Sequence, residues 1–145
     1  MPRGVVRLGP WTLSLMLLLA TGCGDAPHLG LLQRGLREEF HHDAIGVSLT
    51  DGLILTVTFV DGPWAEASCE AQARLAFQAA EYVRDHYLDF DSLLTVSIAF
   101  GRRESTESSR VTSTHLPFRF ARTSLEAGLR AADKADAVMF CRETT

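Results

Sequence analysis

Three cysteines are the residues of this chain best suited to covalent chemistry: Cys23, Cys69 and Cys141. No two of them form a Cys-x-x-Cys motif, which is the spacing of many thiol redox sites. A reactive thiolate also needs a basic neighbour or a helix N-terminus, and only Cys69, close to a predicted helix start, approaches that condition. We therefore expect the cysteines to carry a covalent attachment or a disulfide, and not to act as nucleophiles.

The first 23 residues have the pattern of an export signal. Arg3 and Arg7 supply a positive n-region, residues 11–20 form a short apolar stretch, and small residues lead to Cys23. A membrane-spanning helix needs about 20 apolar residues, more than this stretch contains. A cleaved signal is favoured. The two alternatives are a spanning anchor and an ordinary secretory signal that happens to contain a cysteine.

A short motif ends this segment: Leu17-Leu18-Leu19-Ala20-Thr21-Gly22-Cys23. It resembles the lipobox of bacterial lipoproteins, although the lipobox usually has Leu, Val or Ile where this chain has Ala20. The resemblance implies that Cys23 is lipidated on its sulfur and that the chain is cut just before it. The implied organisation is a signal peptide over residues 1–22, a lipidated cysteine and flexible tether over residues 23–30, and one domain over residues 31–145. The implied location is the bacterial cell envelope, and in a Gram-negative cell the outer membrane, facing the periplasm.

Cys69 and Cys141 remain as a pair once Cys23 is assigned to the lipid. In an oxidising compartment such a pair often forms a disulfide. The bond would close a loop of about 70 residues and, in the chain-entropy model, stabilise the fold by about 4 kcal/mol. The alternative is that both cysteines are small buried apolar residues with reduced thiols. The disulfide is favoured.

His41-His42-Asp43 is the nearest approach to a metal-binding cluster. Adjacent side chains diverge, so these residues need a third ligand from elsewhere in the fold. The other histidines are isolated, and the sequence has neither a Gly-x-Ser-x-Gly nucleophile motif nor a glycine-rich phosphate loop. We expect no enzymatic activity, no metal and no cofactor. The alternative is a small envelope hydrolase or metal-dependent enzyme built on His41, His42 and a distant carboxylate.

The charge of the chain argues against nucleic acid as a partner. Removal of Arg3 and Arg7 with the signal leaves 12 of the 14 basic residues against 18 acidic ones. Nucleic acids and anionic membrane surfaces both favour a basic patch. We expect contact with the membrane through the lipid, and an envelope protein as a further partner.

Hydrophobic spacing predicts the elements that position these residues. A helix is predicted over residues 31–40, a hairpin over residues 45–59, a long helix over residues 65–87, and strands over residues 94–100 and 110–120. Thr123 and Glu126 have the spacing of a capping box that opens a last helix carrying Leu125, Leu129 and Ala132. The predicted fold is α+β, with a four-stranded antiparallel sheet of two hairpins, helices packed on one face, and the order (α)ββαββα.

Two details of the sheet follow from which residues must share a face. A three-residue loop over residues 50–52 pairs Leu49 with Leu53, puts the apolar residues of both strands on one side, and gives Gly52 a left-handed conformation. In the fourth strand, Pro117 and the change of parity after Val111 indicate a bulge or an edge position.

The opposite side of the predicted sheet is nearly uncharged. It carries Ser48, Thr56, Thr58, Thr95, Ser97, and either Thr112 and Thr114 or their neighbours. This face is either a solvated surface of residues with good strand propensity or a platform, or edge, to which another strand adds. The sequence as a whole predicts a lipid-anchored, non-catalytic binding or structural module of the bacterial envelope.

Overall fold

The computed structural model of the protein describes residues 26–104, 110–113, 116–128 and 141. In chain order the elements are α1 (Ala26–Glu39), β1 (Ile45–Thr50), β2 (Ile54–Val60), α2 (Cys69–His86), β3 (Thr95–Arg103), β4 (Val111–Ser113), β5 (Phe118–Ala121) and α3 (Arg122–Glu126). Short 3₁₀ turns, Pro63–Glu66 and Phe90–Ser92, lie on either side of α2. The predicted signal and Cys23 lie outside the described residues.

The fold is α+β, as predicted, but the sheet formed by the described residues is mixed and has five strands. β1 and β2 form the predicted antiparallel hairpin. β2 and β3 are parallel neighbours, because the 18-residue helix α2 carries the chain back across the sheet before β3 begins. The prediction of a purely antiparallel, four-stranded sheet of two hairpins is therefore wrong.

The predicted fourth strand is divided in two. β4 pairs with residues 101–103 of β3 and β5 pairs with residues 95–98, both antiparallel, so the two short strands share one side of β3. Pro117 lies between them and has no N–H group for a ladder hydrogen bond. The proline and the parity change thus mark an interruption of the strand, and the order of the described elements is αββαβββα.

The β1–β2 hairpin puts both apolar sets on one face, but its register differs from the predicted one. Leu49 pairs with Leu55 and not with Leu53, and the loop covers residues 51–53. The two central residues of the turn have φ of 54° and 70°, and the Leu53 N–H donates to the Thr50 carbonyl at 3.0 Å. These are features of a type I′ turn. Leu53 is an extra, bulged residue that prevents the inversion of faces a two-residue loop would cause.

The described helices all pack on one face of the sheet, here called the helix face. Strand residues of a single parity form the floor of its core: Ile45, Leu55, Val57, Phe59, Val96, Ile98, Phe100, Phe118 and Phe120. Leu32 and Leu36 of α1, the buried side of α2, and Leu125 of α3 cover this floor. The prediction that helices lie on one face is confirmed for these elements.

α1 is longer than predicted and approaches α2 closely. It begins at Ala26, so residues 26–30 of the predicted tether are helical. A methyl group added to Gly35 would overlap the hydroxyl of Tyr82 on α2. Glycine at this position therefore permits the contact between the two helices.

The ends of the other helices also differ from the prediction. α2 begins at Cys69 and not at residue 65, because Ser68 caps it: its Oγ accepts a hydrogen bond from the Ala71 N–H at 3.3 Å. α3 begins at Arg122, and its N-cap, Ala121, makes no side-chain cap, so the predicted capping box is wrong. The predicted continuation of this helix beyond residue 128 lies outside the described residues.

Candidate functional site

Cys69 and Cys141 are joined by a disulfide in the structure, with their Cα atoms 5.6 Å apart. Cys69 is the first residue of α2, and Cys141 is buried against the core. The bond joins residues 72 positions apart in the sequence and ties the start of the central helix to the C-terminal part of the chain. A sulfur in a disulfide has no thiolate form, so this pairing leaves Cys69 without nucleophilic character.

In the described part of the chain, the His41-His42-Asp43 cluster has no third ligand beside it. Among the residues that the structure describes, no group of three or more His, Cys, Asp or Glu side chains is placed to hold a metal ion. His41 and Asp43 are exposed, whereas His42 is half-buried. Its Nε2 lies 2.9 Å from the Val60 carbonyl oxygen, and its ring stacks on Phe59. Because a carbonyl only accepts, Nε2 donates here and offers no lone pair to a metal.

His42 also accounts for the glycine at position 62. Gly62 has φ of 72°, and a Cβ added there would lie 2.8 Å from Cε1 of His42. The imidazole therefore fills the space beside the turn that follows β2. Its hydrogen bond and stacking give it a structural role at the end of the sheet.

His28 and Asp89 join two segments that are 61 positions apart in sequence. The His28 Nδ1 lies 2.6 Å from the Asp89 Oδ2, and both side chains are partly exposed. A His–Asp pair is the orienting half of a hydrolase triad, which also needs a nucleophile at the second ring nitrogen. Within the described part of the chain, His28 makes no hydrogen bond to a hydroxyl or a thiol. The pair fastens the first turn of α1 to the connection between α2 and β3.

His86 and Tyr82 stack on the last turns of α2, with ring centroids 3.9 Å apart. The His86 Nδ1 is 2.9 Å from the Tyr82 carbonyl oxygen and donates to it. Burial, then the negative charges of Glu39 and Glu38, raise the pKa of the Tyr82 hydroxyl. The hydroxyl therefore stays protonated at neutral pH and is unsuited to act as a general base.

Charged side chains at the carboxyl end of β3 pair with one another. Arg102 pairs with Glu66, the Arg103 Nε lies 4.0 Å from the Asp61 Oδ2, and the Arg110 Nη1 lies 4.0 Å from the Glu104 Oε2. The Arg103 backbone N–H also donates to the Asp61 carboxylate at 2.8 Å. These groups are all largely exposed, and such pairs contribute about 0–1 kcal/mol each. Residues 105–109, which hold the serines of this loop, lie outside the described part. The pairs form a solvent-exposed group of charged side chains at the carboxyl end of β3.

The side of the sheet opposite the helix face is here called the Ser/Thr face. It differs from the prediction in that a charged residue lies in its central row and that one of its central hydroxyls is buried. Ser48, Thr56 and Ser97 lie side by side across β1, β2 and β3, with Arg119 of β5 next in the row. Ser97 is only 5% exposed, so the centre of this face is not an accessible platform. The accessible hydroxyls lie toward β1 and β2.

Thr112 lies on the helix face and not on the Ser/Thr face. It pairs with Arg102 across the β3–β4 ladder, and its hydroxyl donates to the Glu104 carboxylate at 2.9 Å. Its neighbours Val111 and Ser113 have the parity of the Ser/Thr face, which is the second of the two predicted arrangements. Thr114 lies outside the described residues.

β1 is an end strand of the described sheet, and part of its outer edge has backbone groups that no neighbouring strand pairs. The Val60 N–H donates to the Ala44 carbonyl at 2.8 Å, which sets the alternation of hydrogen-bonded pairs along the hairpin. By that alternation, the N–H and C=O groups of Val47 and Leu49 point away from β2.

Side chains of α1 cover the start of this edge. The Gln33 Nε2 donates to the Ile45 carbonyl oxygen at 2.6 Å, and the Arg37 Nη2 donates to the same oxygen at 3.3 Å. Capping of this carbonyl shortens the open edge to the second half of β1. A short edge is one of the ways in which sheets limit unwanted strand addition.

Sequence reasoning missed the exposed leucines that flank the turns. Leu53 follows the β1–β2 turn, Leu88 follows α2, and Leu94 precedes β3, and these side chains are 41%, 73% and 59% exposed. The signal that would have found them is a leucine placed next to turn-forming residues, since such residues lie on the surface. Neither alternation nor helical spacing distinguishes them from core leucines.

A scan against family models, a search of curated proteins and a search of solved structures each returned no match. No helix in the described part is both long enough and apolar enough to cross a membrane.

Proposed function

We propose that the protein is a lipid-anchored component of the bacterial envelope, with Cys23 lipidated and residues 1–22 removed. The observation that supports this best is the pairing of Cys69 with Cys141, with Cα atoms 5.6 Å apart. Disulfides persist in exported proteins and are rare in reducing compartments. The pairing accounts for two of the three cysteines, and the third stands at the end of the lipobox-like motif.

The domain itself is proposed to be a non-catalytic binding or structural module. His42 forms a hydrogen bond with the Val60 carbonyl, and His28 forms one with the Asp89 carboxylate. Within the described residues, neither contact presents a base beside a nucleophile, which is the arrangement that hydrolysis through a covalent intermediate requires. The alternative of a hydrolase or metal-dependent enzyme built on His41 and His42 has no support from the geometry of the described residues.

The surface proposed for an envelope protein partner is the outer edge of β1 with the adjoining hydroxyls of the Ser/Thr face. The backbone groups of Val47 and Leu49 point outward there, and Ser48 lies between them with its side chain exposed. An added strand would pair with these backbone groups and contact Ser48, the neighbouring hydroxyl of the Ser/Thr face, through its own side chains.

The lipid anchor is tested by Cys23→Ser in a bacterial host that processes lipoproteins. We expect this variant to lose incorporation of labelled palmitate and either to accumulate as unprocessed precursor or to leave the membrane fraction. The matched control is Cys69→Ser/Cys141→Ser, which removes two thiols and retains Cys23, and should keep the label. An unchanged mass, label and membrane attachment in Cys23→Ser would show that the anchor is wrong.

A further inference from the structure

Apolar side chains are exposed at one end of the sheet. Seven large apolar residues are exposed in the described part of the chain, and five lie at or near the amino ends of β2 and β3: Leu31, Leu53, Ile54, Leu88 and Leu94. Val111 and Leu116 lie elsewhere. Exposed single leucines are ordinary on protein surfaces, but a group of them at one end marks a contact surface. This group is called the leucine end.

Backbone and side-chain contacts hold these residues at one end. The Leu94 N–H donates to the Leu53 carbonyl at 2.8 Å, which sets the β1–β2 turn beside the start of β3. His28 contacts Asp89, the residue after Leu88, so the first turn of α1 lies beside the connection from α2 to β3.

The N-terminal chain enters the domain at this same end. α1 begins at Ala26 and runs antiparallel to α2, since His28 contacts Asp89 and Gly35 contacts Tyr82. Cys23 precedes Ala26 by three residues, which span at most about 11 Å in any conformation. A lipid on Cys23 therefore brings the bilayer surface within reach of the leucine end and of no more distant part of the domain.

The charges of the leucine end indicate whether apolar burial or electrostatic attraction would hold it at a membrane. Asp51, Asp89 and Asp91 lie in its turns, and acidic groups are repelled by anionic lipid. Arg122 also lies at this end, since its backbone N–H donates to the Leu94 carbonyl at 3.0 Å, but its guanidinium pairs with Glu126. The contact would therefore come from burial of leucine side chains at the bilayer interface and not from electrostatic attraction.

We propose that the leucine end rests on the bilayer surface, so that the lipid on Cys23 and the leucines hold the domain in one orientation. The strands then run along the membrane normal. In this orientation the Ser/Thr face and the outer edge of β1 face sideways and are accessible to a partner. This inference rests on the lipid anchor proposed above, because the short distance from Cys23 to Ala26 fixes which end meets the bilayer.

The test adds one tryptophan at the leucine end of the mature, lipidated protein, purified from bacterial membranes. Leu88→Trp and Leu94→Trp are compared with Leu116→Trp, a leucine of similar exposure, 63%, that precedes β5 and lies away from the leucine end. Each variant is reconstituted into phosphatidylcholine vesicles with and without brominated acyl chains. The unsubstituted protein supplies the background from Trp64.

We expect every variant to float with the vesicles, and brominated lipid to quench the tryptophans at 88 and 94 but not the one at 116. Addition of anionic lipid should not increase the quenching. Flotation without selective quenching would overturn the docking while leaving the anchor intact. A blue-shifted but unquenched tryptophan at 88 would show that a protein, or a second copy of this chain, covers the leucine end, and would overturn the docking equally. Failure to float would overturn the anchor and the docking together.

Discussion

Gly35 of α1 lies directly against Tyr82 of α2, and the tyrosine hydroxyl occupies the space that a side chain at position 35 would need. Tyr82 also contacts Phe40, whose ring lies against Phe59 in the sheet. Glycine has a low helix propensity, but at position 35 it allows α1 to pack against α2 and, through Tyr82 and Phe40, against the sheet. At position 35, helix propensity favours a residue other than glycine, whereas packing against Tyr82 favours glycine.

Gly35→Ala should leave the protein less stable than Gly30→Ala by about 1 kcal/mol or more, because the added methyl group must displace the Tyr82 hydroxyl and the ring that carries it. Gly30→Ala is the matched control. It lies in the same helix, a Cβ there meets nothing within 4 Å, and alanine should stabilise it by about 0.5–1 kcal/mol through helix propensity alone. Urea unfolding of both variants measures the difference. Equal effects in the two variants would contradict the packing account.

Tyr82→Phe should relieve much of the damage in a Gly35→Ala background, because it removes the atom that the new methyl group meets first. The measurement is a double-mutant cycle in urea, in which the coupling energy is the part of the destabilisation that depends on the hydroxyl. Purely additive effects would show that the methyl group is accommodated in another way.

Stability should fall as pH rises past the ordinary tyrosine value of 10.0. Burial, with Glu39 and then Glu38, raises the pKa of Tyr82 in the folded state, so above that value the folded protein binds more protons than the unfolded chain. The stabilisation is complete below the unfolded pKa and is lost as pH rises through the folded one. Tyr82→Phe should show a smaller loss of unfolding free energy over this range. An identical loss would mean that other groups cause it.

Cys69 and Cys141 should resist alkylation in the native protein until a reductant is added. Reduction should then lower the free energy of unfolding by about 4 kcal/mol in the chain-entropy model, given the long loop that the bond closes. The double variant Cys69→Ala/Cys141→Ala serves as control, because its stability should not respond to reductant. Prompt labelling of both cysteines before reduction, read by peptide mass spectrometry, would exclude the bond.

The elements predicted most successfully were those in which apolar residues recur at a regular spacing and turn-forming residues mark the ends. The alternation in β1, β2 and β3 and the long apolar stripe of α2 predicted their types and the face that each one buries. The direction of β3 was mispredicted, because alternation does not distinguish a strand that returns through a crossover helix from one that follows a hairpin. The division of the last strand at Pro117 was visible only as a change of parity.

The candidate site was harder to predict because its contacts join distant parts of the chain. His28 and Asp89 are 61 positions apart, and no local pattern relates them. His42 had the residue type of a metal ligand, but its environment, a carbonyl and an aromatic ring, is set by the turn after β2. The expected disulfide partners could be named by elimination, since only two cysteines remained after Cys23, whereas their approach to 5.6 Å required the fold.

Gly52 tests the turn on which the faces of the β1–β2 hairpin depend. Its φ is 70°, and a Cβ there meets no atom within 4 Å, so any cost of substitution comes from the backbone alone. Gly52→Val should lower the free energy of unfolding by about 1–3 kcal/mol, and Gly52→Asn by clearly less, because asparagine tolerates this conformation. Gly46→Val in β1 is the matched control: its Cβ also meets nothing within 4 Å, and valine favours a strand, so the unfolding energy should not fall. If valine is equally harmless at positions 52 and 46, the left-handed turn is wrong, and with it the bulge at Leu53 that keeps the apolar sets of β1 and β2 on one face.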